Sequence, residues 1–173
     1  MEILMRSKLV MPLAAALLAG GLWASSLGSD DTSFVKDAAK GNMTEVELGH
    51  LAVQKGASPD VKAFGQRMIR DHSKANRELA TLASSKGVEL PTSKSIGEDV
   101  SVAHLKMLSG KSFDEAYVKM MVDDHKGDVA AFEKASEGSQ DPDVKHFATK
   151  TLPTLQSHLT EIEKMNSNMM SSK

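Results

Sequence analysis

The chain has no cysteine among its 173 residues, which excludes disulfides, thiolate nucleophiles, thiolate metal ligands and anchoring through a lipidated N-terminal cysteine. Aromatic residues are nearly as scarce. One Trp, one Tyr and five Phe are too few for a base-stacking platform or an aromatic sugar-binding face. Charge of one sign is lacking as well, because 21 Lys and Arg stand against 23 Asp and Glu, and a net charge of −2 gives nucleic acid no electrostatic footing. No catalytic motif appears anywhere in the chain.

What is present begins with a leader. Arg6 and Lys8 precede an apolar run from Leu9 to Leu18, followed by Gly20, Gly21 and the small residues Ala24-Ser25-Ser26. This is the order of a secretory signal peptide, with cleavage expected after Ser26 or Ala24. An uncleaved membrane anchor is disfavoured, since the run is short for a span of ~20 residues and is broken by Pro12. Residues 1–26 are therefore expected to be removed, leaving an exported chain with no transmembrane segment and a net charge of −3, 19 basic against 22 acidic residues once Glu2, Arg6 and Lys8 are gone.

The rest repeats itself. Shifted by 83 positions, residues 34–64 fall on 117–147 without a gap, and nine of the 31 pairs are identical, five of them within Pro59-Asp60-Val61-Lys62-Ala63-Phe64 against Pro142-Asp143-Val144-Lys145-His146-Phe147. Each copy reads as a helix, a short turn and the start of a second helix. The expected fold is all-α, a four-helix bundle of two helical hairpins joined by a long crossover containing a short helix. Helix one is expected from about Ser33, capped by Thr32 or Asp31, to Lys55, with Gly41-Asn42 a weak point inside it. Ser58 and Asp141 read as caps ahead of Pro59 and Pro142 at first helical positions, Ser112 to Glu115 as a capping box, and Glu98 to Leu108 as the crossover helix. Pro153 is expected to kink the last helix. The bundle domain spans residues 27–166, and residues 167–173 read as a disordered tail.

Three histidines fall on apolar helical seams. His72 follows Val61, Gly65 and Met68, His125 follows Val118 and Met121, and His158 follows Val144, Ala148 and Leu155, each at the three- and four-residue spacing of a buried face. Glu45 lies on the inward side of helix one. At ~1.5 Å per residue counted from the turns, His72, Glu45, His125 and His158 lie ~22, ~18, ~17 and ~12 Å along the bundle, a span of about two turns. Imidazole and carboxylate donors together suit one transition-metal ion, zinc, iron, copper or manganese. Asp71, Asp124 and Asp128 are candidates for supporting these ligands, although for Asp71 and Asp128 a solvated acidic edge is the preferred reading. Met68 and Met121, each four residues before a histidine, would favour Cu(I) if they were ligands, and otherwise fill the core. His50, His104 and His146 read as surface residues.

Several phrases, Glu45-Val46-Glu47-Leu48-Gly49, Phe64-Gly65-Gln66-Arg67-Met68 with Asp71-His72-Ser73-Lys74-Ala75-Asn76, Phe113-Asp114-Glu115-Ala116-Tyr117, and Leu152-Pro153-Thr154-Leu155 with His158-Leu159, resemble the exported bacterial family known as domain of unknown function 4142. The resemblance covers roughly residues 33–165. It implies a ferritin-like fold and a periplasmic or outer-membrane setting, and it supplies no reaction. Di-iron ferritin-like proteins carry Glu-x-x-His pairs, but Ile69 and Leu155 stand three residues before His72 and His158, which argues against a di-iron oxidase. Two readings follow. The first is an exported bundle holding one metal ion at Glu45, His72, His125 and His158. The second is a non-catalytic structural or envelope-stress interaction protein with a polar histidine core and no metal.

Overall fold

The computed structural model describes residues 26–92 and 100–171; the expected signal peptide, apart from Ser26, and the start of the expected crossover helix, Glu98 and Asp99, lie outside them. Five helices, and no strand among the described residues, follow in order: α1 (Ser29–Lys55), α2 (Pro59–Ser85), α3 (Val100–Met107), α4 (Gly110–Gly138) and α5 (Pro142–Ser171). The three-residue turns at 56–58 and 139–141 fold α1 back on α2 and α4 back on α5. Packing is extensive within each pair and much thinner between pairs, where α1 meets α4 and α2 meets α5. No helix among the described residues is long and apolar enough to cross a membrane.

Some boundaries differ from expectation. α1 begins at Ser29 after Gly28, so Asp31 is inside the helix and does not cap it. Its carboxylate instead accepts the backbone N–H of Asp141 at 2.9 Å. Asp114 does the same for the other turn, accepting from Ala57 at 3.0 Å and Ser58 at 2.8 Å. The Ser112 capping box is not used, because α4 starts earlier, after Ser109. Ser58 does cap α2, its hydroxyl accepting from the Asp60 N–H at 3.2 Å. The expected disordered tail is corrected for residues 167–171, since α5 continues to Ser171. Met165 and Met169 pack on the core there, which gives the extra turns an apolar face to bury.

The interior consists of two apolar clusters. One gathers Leu48, Phe64, Met68, Phe113, Tyr117 and Ile162, the other Val35, Leu79, Phe132, Val144 and Phe147. Between them along every long helix lies a polar layer: Asn42 and Glu45 on α1, His72 on α2, His125 on α4 and His158 on α5, all buried. α1 and α2 approach closely at Gly49 and Gly65. A Cβ on Gly49 would lie 2.7 Å from the Gly65 carbonyl oxygen, and one on Gly65 2.7 Å from the Gly49 oxygen and the Ala52 Cβ. That approach, one turn from Glu45, sets how near α1 brings its carboxylate to His72.

Candidate metal centre

The polar layer is built from one ring per helix and held by its neighbours. Nδ1 of His72 meets Oδ1 of Asn42 at 2.7 Å and Oε2 of Glu45 at 2.8 Å. Nδ1 of His125 donates to the Met121 carbonyl one turn back at 2.9 Å. Nε2 of His158 donates to Oδ2 of Asp71 at 2.8 Å. With one nitrogen of each ring committed as a donor, the other carries a lone pair.

Those other nitrogens, Nε2 of His72, Nε2 of His125 and Nδ1 of His158, are buried and have no hydrogen-bond partner among the described residues. The three residues offer ligand atoms within 4.8 Å of one another, and their ring centroids are 5.4 to 5.9 Å apart. Phe64 closes one side, its ring 6.2 Å from His125 and 6.0 Å from His158. Three acceptors thus face one another in a buried pocket, with no donor from the described residues between them. Each unsatisfied buried group costs about 1–3 kcal/mol, a large burden against a typical net stability of about 5–15 kcal/mol.

Electrostatics keep the rings in the ligand-ready form. Burial pushes the imidazoles of His72, His125 and His158 down to about 4, 3 and 4, so all three are neutral at neutral pH. Glu45 is held above the ordinary carboxylate range, first by burial and then by the charge of Asp124, while a hydrogen bond from Asp128 works the other way. Asp128 is likewise raised, by burial and by its position against Glu45, so the pair holds protons that free carboxyls release. Glu45 leaves Oε1 without a hydrogen bond to any described residue, 3.6 Å from Nε2 of His125. Burial opposes ionisation of Asp71, but the hydrogen bond and charge of His158, with Arg67, hold it below the usual carboxylate range. Arg67 spans Asp71, Glu161 and Ser157, and so anchors the carboxylate that orients His158.

Glu45, His72, His125 and His158 therefore converge. His50, His104 and His146 are exposed. The expectation that Asp71 and Asp128 form a solvated edge is corrected: each is half-buried and turned toward a residue of the polar layer, because the thin packing between the helix pairs leaves room for an acidic side chain to reach inward. Asn42 was legible only as a weak point in a helix. The buried stripe of α1 runs through Asp31, Val35, Ala39, Asn42, Glu45 and Ala52, and Phe34 and Ala38 beside it are only half-buried. The signal that could have found Asn42 is the repeat itself, since Asn42 aligns with His125 at the 83-residue offset.

Solved structures share this architecture. A DUF305 fragment from Deinococcus radiodurans aligns with a TM-score of 0.73 at 14% identity, covering 83% of this chain and 99% of its own. CopM in the Cu(I)-bound form aligns with a TM-score of 0.68 at 16% identity, over 80% and 96%, and a DUF305 protein from Streptomyces coelicolor with 0.69 at 16%, over 81% and 93%. At such identities the likeness concerns the fold. No curated protein matches the chain. The sequence profile of the domain of unknown function DUF4142 matches residues 22–165, and to that family the chain belongs.

Proposed function

We propose that this is an exported, ferritin-like four-helix bundle that holds one transition-metal ion at His72, His125 and His158, with Glu45 beside the ion, and that it binds metal without catalysing a reaction. The observation that carries this reading is the convergence of three partnerless, buried imidazole nitrogens, each fixed from behind by a partner on its other nitrogen. Such outer partners are the usual means of aiming a histidine ligand. An ion bonded at about 2.0–2.1 Å keeps its donor atoms within about 4.2 Å of one another, so small ring rotations close the site. Among zinc, iron, copper and manganese, copper is favoured. A nitrogen-rich donor set ranks copper(II) first among the divalent ions, and the similarly folded CopM has been solved with Cu(I), Cu(II) and Ag.

Metal analysis tests the reading. Purified protein dialysed separately against copper(II), zinc(II), iron(II) and manganese(II) is expected to retain one equivalent of copper, while His72→Ala and His125→Ala, checked for helical content, retain almost none. Wild-type protein free of every metal after dialysis would remove the proposal and leave the polar histidine core as structural.

A further inference from the structure

The ligand nitrogens are buried, so an ion must reach them through one of the thinly packed seams between the helix pairs. Two clefts lie along those seams. The one between α1 and α4, about 410 Å³ in volume, is lined by Asp30, Asp31, Asp37 and Asp128 with a single base, Lys134. Its inner end is Asp128, which is hydrogen-bonded to Glu45, and Glu45 presents its partnerless, buried Oε1 toward His125. From Asp30 to Glu45 the helix rises about 22 Å at ~1.5 Å per residue. The carboxylates of the cleft therefore run from Asp30 near the start of α1 to Asp128, and Asp128 in turn touches Glu45 of the polar layer.

The opposite cleft, between α2 and α5, also reaches a residue that touches the polar layer, Asp71, but its lining includes Arg67, Lys74 and Lys150. Carboxylates of both clefts have partners, Asp71 with His158 and Arg67, Glu78 with Lys150 at 2.8 Å, Asp31 with the Asp141 N–H and Asp37 with Lys40 at 3.5 Å, so what distinguishes the two is the balance of acidic and basic residues in their linings. A cation approaching that side meets a cationic rim. Clefts lined by one sign of charge concentrate counter-ions and raise association rates by about 10-fold or more.

We infer that the α1/α4 cleft is the entrance through which a hydrated metal cation reaches His72, His125 and His158. The inference rests on the metal-binding reading above, and adds the route and the positive charge of the species delivered. Because Asp30 and Asp37 lie at the mouth, away from the ligands, they govern the rate of binding and leave the bound state alone.

The test is rapid mixing of ion-free full-length protein with copper(II) at low salt, with the equilibrium affinity measured alongside. In the double variant Asp30→Asn/Asp37→Asn the association rate constant is expected to fall about 3–10-fold, with affinity within about twofold and the difference vanishing in 0.5 M salt, where screening reaches ~4 Å. Ala131→Trp, which fills the cleft from α4, is expected to slow uptake and release in equal proportion. Lys74→Gln/Lys150→Gln on the other side is expected to leave uptake unchanged. Wild-type uptake combined with unchanged rates in both cleft variants, or with faster uptake in the lysine variant alone, would overturn the route and leave the site standing. Absence of uptake by wild type would overturn both.

Discussion

At the scale of single residues, protons decide how the ion-free protein responds to pH. The three imidazoles titrate at about 4, 3 and 4 in the folded state against 6.5 when free. Between those values the unfolded chain binds protons that the folded chain refuses, so stability is lost as pH falls from 6.5 toward 4. Glu45 and Asp128 have the opposite sign. Their folded values are raised, so the folded state keeps protons that the unfolded chain has released, and their contribution is lost progressively as pH rises from the free values of 4.5 and 3.8 to about 8. Where the two windows overlap, three histidines outnumber two carboxyls. Tm measured in chelator is expected to peak close to pH 6.5 and fall on both sides, with Asp128→Asn flattening the alkaline side. A flat profile from pH 5 to 8 would contradict this balance. The inward histidines and Glu45 were legible because helical spacing places them among apolar residues. Asn42, Asp71 and Asp128 were not, because polar residues near a seam look the same from sequence whether they turn outward or inward.

At the scale of helices, the Gly49–Gly65 contact controls register. Gly65→Ala must displace the backbone oxygen of Gly49, not a flexible side-chain end, and is expected to destabilise by about 1–3 kcal/mol while weakening metal binding through the movement of Glu45. Gly127 is the control. It is exposed in the middle of α4 with nothing near its would-be Cβ, so Gly127→Ala is expected to stabilise by about 0.5–1 kcal/mol. Denaturant midpoints of the two variants check both signs, and equal shifts would contradict the close crossing. The caps Ser58 and Asp141 and the prolines after them marked the turns correctly, because those signals are local. The start of α1 and the end of α5 were misplaced for the opposite reason. Asp31 is held by the distant turn at Asp141, and the last turns of α5 by packing of Met165 and Met169, neither of which adjacent sequence reports.

At the scale of the whole molecule, an ion would join all four long helices across the seams where they touch least. Binding at 100 times the dissociation constant contributes about 2.7 kcal/mol, which for a domain of this size is about 5–11 °C in Tm at about 2–4 °C per kcal/mol. Scanning calorimetry with and without copper(II) checks this, and a gain as large in His125→Ala would place the ion elsewhere. The two halves also clasp one another in kind. Asp31 and Asp114, 83 residues apart, each secure the turn of the other half, and Glu45 and Asp128, related by the same offset, meet each other in the interior. The repeat made the hairpins legible, while this reciprocal arrangement needed coordinates.

The duplication stops at the imidazoles. Carried through the 83-residue offset, His72 corresponds to Leu155, His158 to Ala75 and His125 to Asn42, so a scaffold with two matching halves has only one set of donors. A mirror pocket, and with it a symmetric pair of ions, has no ligands to build it. Copper titrations should accordingly break at a ratio of one ion per chain, in a protein whose ancestry by doubling would suggest two.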